Sequence, residues 1–206
     1  MSSKINVKEI FDKHHQTIQY PNKSLSKKDK QQFFLYPIIG SIIALITIGK
    51  PNSDMINIFA VCLSIFIGLF LNLLVLILSF TESKTKIKDK KNRAELLEQT
   101  FYNLSYTIVI SLIALGILFL TTISIFPSNW NLQIPFSRLG IDFNDYFLNV
   151  NYLITNIIAI TFYFVFIKVI VTLLMIVKRI FNLFIEEIKS TNEENKIDIK
   201  DYEDYD

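Results

Sequence analysis

The sequence predicts an all-α fold: an integral membrane four-helix protomer with cytoplasmic helical extensions, assembled into a symmetric homo-oligomer. Three observations predict it. Hydrophobic residues make up 51% of the chain and fall into four blocks, with nearly all the charge between them. The blocks are Phe33–Gly49, Met55–Phe80, Phe101–Phe126 and Tyr152–Val177. They approach or exceed the ~20 residues that a helix needs to cross ~30 Å of hydrocarbon. None shows the period-two alternation of a membrane-barrel strand. Each segment must therefore satisfy its own backbone N–H and C=O groups, which a helix does within one span. The chain divides into an arm (1–32), a transmembrane domain (33–177) and a C-terminal extension with a tail (178–206).

In the arm, Val7, Ile10, Phe11, His14 and Ile18 recur at helical spacing, and Lys4, Lys8 and Lys13 lie largely off that stripe. A short basic amphipathic helix follows, either on the inner leaflet or against a cytoplasmic part of the same oligomer. His14 and His15 are adjacent, so they point about 100° apart on a helix. They do not form an i, i+4 metal pair and are expected at the surface. Ser26-Lys27-Lys28-Asp29 reads as a capping box for the first span. Pro37 falls near its first turn, where a missing N–H costs little. No cleaved secretory signal is expected, because the first 32 residues are polar. Lone Cys62 lies inside the second block and cannot form an internal disulfide.

The loop Lys50-Pro51-Asn52-Ser53-Asp54 is tight, so spans one and two are antiparallel neighbours. The longer outer loop, 127–150, carries Trp130, Pro135, Phe136, Tyr146 and Phe147, which suit a headgroup-level belt or a short interfacial element. Asn92-Arg93-Ala94-Glu95 reads as a second capping box. Ala94, Leu97, Phe101, Leu104 and Ile108 continue one face, so the third helix begins before the membrane. Phe181, Phe184, Ile185 and Ile188 form a stripe that extends the fourth helix through Ser190. Asn192–Asp206, with two lysines against seven acids, reads as a disordered tail. It is either a solvated end or a dock for a basic partner surface.

Charge sets the orientation. Residues 1–32 carry seven Lys, 81–100 six Lys or Arg and 178–206 five, against one each (Lys50, Arg138) in the other two loops. The basic side is the cytoplasmic one. Both termini then lie in the cytoplasm of a multi-pass inner-membrane protein.

Polar residues inside the spans fall on lines. Ala60, Ser64, Gly68 and Asn72 step by four, as do Asn103, Thr107 and Ser111, with Ala114 close to that line. Gly40, Ala44 and Thr47 form a third line. Such lines serve close helix packing or the wall of a wetted pore. Asn72 is the costliest of these to expose to lipid, so it should face protein or water. Lys168 lies ten residues, ~15 Å of helix rise, from Lys178. It faces a bundle interior or cavity, or it snorkels; no Asp or Glu lies within the four blocks. The candidate pore lining is Lys168, Asn72, Ser64, Thr161, Thr172, Thr107 and Ser111. Lys84, Lys86, Lys88, Lys90, Lys91 and Arg93 are candidates for a cytoplasmic anionic ligand, although topology alone also explains them. No phosphate loop, metal-ligand spacing or nucleophile–base pair occurs, so neither enzyme activity, a metal nor another cofactor is expected. Four spans without an inverted repeat also argue against a secondary transporter.

The runs Leu63-Ser64-Ile65-Phe66-Ile67-Gly68-Leu69-Phe70-Leu71-Asn72-Leu73-Leu74 and Glu95-Leu96-Leu97-Glu98-Gln99-Thr100-Phe101-Tyr102-Asn103-Leu104-Ser105-Tyr106, the lysine-rich connection between them, and Leu173-Leu174-Met175-Ile176-Val177-Lys178-Arg179 give the chain its texture. In these it resembles small four-span membrane proteins of bacterial anti-phage defence systems. The nearest likeness is to the channel effectors of Hailong systems, and a second is to the four-span subunit of Kiwa systems. The Hailong resemblance implies a homo-oligomeric ion channel, a tetramer, that depolarises the infected cell in abortive infection. It also implies a nucleotidyltransferase partner whose oligonucleotide product is the gating ligand. The alternative is a non-conducting membrane sensor or anchor that recruits a soluble defence effector.

Overall fold

The computed structural model describes residues 7–19, 29, 31–82, 90–123, 131–134 and 146–203. Among the described residues, five α-helices carry the fold: α1 (Val7–Gln19), α2 (Tyr36–Ile48), α3 (Ser53–Glu82), α4 (Lys90–Leu120) and α5 (Val150–Glu203). A π-helical turn, Gln31–Leu35, runs directly into α2. Strands β1 (Asn131–Ile134) and β2 (Tyr146–Asn149) form one short antiparallel ladder, with Asn131 opposite Asn149 and Ile134 opposite Tyr146. The regular elements among the described residues are otherwise all helical. Among the described residues, four helical segments are long and apolar enough to cross a membrane: Gln31–Ile48, Ser53–Ser79, Arg93–Leu120 and Val150–Ile185. This is the organisation of a multi-pass membrane protein.

The helix ends follow from local chemistry. Pro37 lacks the N–H that would bond back one turn, and the turn before it is widened to π geometry. Gly49 ends α2 with φ +72°, a conformation that glycine adopts at no steric cost, and its N–H bonds Leu45 O at 2.9 Å. Asn52 caps α3: its Oδ1 accepts from Met55 N–H at 2.9 Å. The third span stops at Leu120, before Phe126, where Thr121 and Thr122 turn their hydroxyls onto Leu118 O and Phe119 O.

Two expectations are corrected. The acidic C-terminal stretch is not a disordered coil through Glu203 but continues α5, which runs for 54 residues. Adding residues to an existing helix avoids the nucleation cost. His14 is not a surface residue, since only 3% of it is exposed. Ser26, Lys27 and Lys28 of the first capping box and the belt residues Trp130, Pro135 and Phe136 lie outside the described residues.

The chain forms two compact units. The first comprises Met1–Asp29, Gly68–Val109 and Ile170–Asp206, the second Lys30–Ile67 and Ile110–Val169. The core of the second unit draws on Leu63 of α3, Ala114 and Leu118 of α4, and Ala159, Phe162 and Tyr163 of α5. Phe59 meets Phe162 edge-on at 5.1 Å, and Tyr163 Oη donates to Gly49 O at 3.0 Å. Gly40 of α2 belongs to the same unit; a Cβ there would lie 2.8 Å from Ile167 Cδ1, so the helices approach closely. The first unit buries Phe70, Ile77, Leu97, Leu104 and Ile176. Large apolar side chains such as Ile46, Val75, Phe119 and Leu174 are exposed. That outer surface would be a liability in water and is the natural one in hydrocarbon.

Candidate functional site

The polar groups of the first unit converge where α1 meets α4 and α5. α1 carries no basic residue in its last turn to complement its C-terminal carbonyls. Arg179 of α5 supplies one: its Nη2 donates to Thr17 O at 3.1 Å and its Nη1 to Gln99 O of α4 at 3.3 Å. A single guanidinium thus joins three helices, which its rigid fork of donors permits.

Beside it lies a buried cluster. His14 Nδ1 and Asn103 Oδ1 are 2.7 Å apart. An amide oxygen only accepts, so the ring proton sits on Nδ1. Thr17 Oγ1 lies 2.7 Å from both His14 O and Asn103 Oδ1, and its one proton serves the two acceptors. The His14 ring stacks on Tyr106 at 3.6 Å with 7° between planes, and Phe11 meets the Tyr106 ring edge-on at 5.0 Å. Lys13 Nζ stands 5.5 Å above the Tyr102 ring. Asn103 is fully buried, and its Nδ2 has no hydrogen-bond partner among the described residues. One buried donor left open costs roughly 1–3 kcal/mol. The junction is therefore specific but incompletely satisfied, the condition in which a polar network is easiest to rearrange.

In the second unit, Lys168 is half-buried and places Nζ 5.3 Å from the ring centroid of Phe34. Phe34 lies in the π-helical turn that begins the first apolar segment. The ammonium thus reaches toward an aromatic face at the end of that segment, a cation–π contact worth about 0.5–2 kcal/mol.

The remaining sequence candidates divide. Thr107, Ser111 and Thr172 are fully buried within the chain. Thr107 bonds Asn103 O at 2.7 Å, while Ser111 Oγ has no hydrogen-bond partner among the described residues. Ser64, Asn72 and Thr161 are exposed. Ser64 and Thr161 turn their hydroxyls back onto Ala60 O and Ile157 O, both at 2.8 Å, so they need no outside partner. Asn72 has no such internal bond among the described residues. Gly68, one turn before it, is also exposed, with open space where a Cβ would stand. Of the basic candidates, Lys84, Lys86 and Lys88 lie outside the described residues. Lys90 and Lys91 open α4, and Arg93 is half-buried one turn on. No group of three or more potential metal ligands occurs among the described residues.

Sequence reading missed the roles of His14, Thr17 and Arg179. The available signal was that His14 sits on the apolar stripe of α1 while Asn103 is an amide inside an apolar span. Two such groups each need a buried partner. No family model, curated protein or solved structure matches the chain.

Proposed function

We propose that the chain is the subunit of a homo-oligomeric ion channel of the bacterial inner membrane, gated from the cytoplasm and acting as a depolarising effector in anti-phage defence. The observation that carries the assembly is Asn72. It is an exposed amide in the middle of an apolar helix, next to the open notch at Gly68. In lipid such an amide is costly. Helices that pack through small residues, with amides bonding across the contact, remove that cost. A second copy of the chain supplies such a helix, and a ring of copies encloses a water path between them. The basic loops favour termini in the cytoplasm. α1, held by an incompletely satisfied polar junction, is then the gating element on that side. The defence role rests on the resemblance in sequence texture.

Asn72→Leu should weaken assembly by about 3–30-fold per contact, the range expected for an interhelical hydrogen bond within a membrane. Energy transfer between labelled copies in liposomes measures it; equal transfer in the variant takes Asn72 out of the interface. The purified protein in a planar bilayer should give discrete conductance steps. Silence after bound material is stripped and partners are supplied would transfer the chain to the anchor reading.

A further inference from the structure

From Ile170 onward, the large apolar residues that α5 exposes among the described residues are Ile170, Leu174, Val177, Phe181, Phe184 and Ile188. Their steps alternate between four and three residues. That is the repeat at which the side chains of parallel helices interlock. Eighteen residues separate the first from the last, about five turns of helix, so all six lie along one face. On the other side of the helix, Val169, Thr172 and Ile176 are buried within the chain. The next positions of the repeat, Thr191 and Asn195, are polar, so the seam ends at Ile188.

The depth of the seam decides what can cover it. Arg179 Nη1 donates to Gln99 O, so this turn of α5 lies level with Gln99 of α4. Beyond it, Ile180, Leu183 and Phe184 of α5 share a cleft with Leu97 and Arg93 of α4, so the two helices run in opposite senses here. Outward from Arg179, α5 therefore passes the turns of α4 that carry Glu98, Glu95 and Arg93. Three charged residues on two turns of helix are costly in hydrocarbon. Phe181, Phe184 and Ile188 thus stand outside it. Ile170, Leu174 and Val177 lie on the inner side of Arg179, in the apolar segment Val150–Ile185, whose last turns extend past the hydrocarbon. Lipid covers the inner half of the seam but not the outer half. A soluble partner would cover the outer half but not the inner half. A membrane-spanning helix with the same repeat covers both. Copies of one chain insert with one orientation, because the same charges direct each of them. The α5 of a second copy then runs parallel to this one at the same height and presents the same six residues in register. We infer that the seam pairs with the α5 seam of a second copy, in a parallel coiled contact that begins within the membrane and continues beyond it. The inference deepens the homo-oligomeric reading and rests on it, but on neither conduction nor a role in defence.

The test is cross-linking of the full chain in liposomes by a short bis-maleimide, with single cysteines placed by Phe181→Cys, Ile188→Cys or Asn182→Cys after Cys62→Ala. Asn182 is exposed beside Phe181 but off the seam, so it reports chance collision. Phe181→Cys and Ile188→Cys should give dimers in severalfold greater yield than Asn182→Cys. Ile188 is 59% exposed in the single chain. Ile188→Ser should therefore leave the fold intact and weaken association, read by energy transfer between labelled copies, by about tenfold, the factor for removing one large apolar side chain from a contact. Energy transfer between unsubstituted copies separates the two failures. Transfer without an excess of cross-links at Phe181→Cys and Ile188→Cys would overturn the seam contact and leave the homo-oligomer standing, with the outer half of the seam open to a soluble partner. Transfer that Ile188→Ser leaves unchanged would overturn the seam contact too. Absence of transfer would overturn the homo-oligomer and this inference with it.

Discussion

Asn103→Leu should loosen α1 from the rest of the first unit, at a cost of about 2–4 kcal/mol. Leucine repeats the branched shape of asparagine with bulkier methyl groups, so some overpacking at this buried site adds to the polar loss. His14 Nδ1 and the Thr17 hydroxyl both face Asn103 Oδ1 at 2.7 Å. Each would lose that acceptor in a buried site, at roughly 1–3 kcal/mol per stranded group. Thr17 keeps its bond to His14 O and so sits at the low end of the range. Removal of the open Nδ2 donor returns part of the total. Hydrogen exchange of residues 7–19 reads the effect directly. Opening of α1 should become about a hundredfold more frequent while exchange in the apolar core of α4 changes little. Uniform acceleration over the whole chain would mean that Asn103 supports the fold at large. Unchanged exchange in α1 would mean that the polar junction does not hold it.

The consequence reaches the gating proposal. In a ligand-operated channel, the element that moves has to be drawn from the less stable parts of the structure. α1 is a single helix of 13 residues, too short to be stable alone in water. The contacts that hold it include one guanidinium, one amide, the ring contacts of His14 and Phe11 with Tyr106, and Lys13 over Tyr102. Asn103→Leu should accordingly raise open probability in the bilayer assay if α1 holds the channel shut, and lower it if docked α1 is the open state.

The spans were legible because lipid imposes a one-dimensional rule. Any segment long and apolar enough must be a helix, whatever it packs against. That rule located all four long apolar helices, while the tight turn at Pro51 came from the short polar break between two of them and the early start of the third helix from its apolar stripe. It could not locate His14. Whether a histidine on an amphipathic stripe meets lipid headgroups or a protein amide depends on which helix lies opposite, and Asn103 is 89 residues away in sequence. The C-terminal helix escaped for a different reason. Its acidic composition resembles that of an unfolded tail, but composition does not register that α5 already provides the nucleus. The polar stripes were visible as stripes, yet their facing was not. Thr107 and Asn72 look alike in sequence, and one is buried while the other is exposed.

Lys168→Gln should shift ion selectivity toward cations if the assembled channel draws its ion path past α5. At ~8 Å in water, each lysine in a ring contributes about 0.5 kcal/mol to the local potential energy of an anion. Salt at 0.1 M reduces this further, since the Debye length is only about 10 Å. Several copies acting together would still enrich anions several-fold, and neutralising all of them should remove that enrichment. The reversal potential under a tenfold KCl gradient measures the change. The Phe34 contact sets the competing expectation. With Nζ 5.3 Å from that ring, the ammonium also ties α5 to the turn that opens the first apolar segment. Phe34→Leu separates the two roles: it removes the aromatic face while leaving the charge. If Lys168 lines the ion path, Phe34→Leu should keep the anion bias and Lys168→Gln should abolish it. If Lys168 only anchors the turn, both variants should leave the reversal potential unchanged and destabilise the protein by a similar amount, about 0.5–2 kcal/mol.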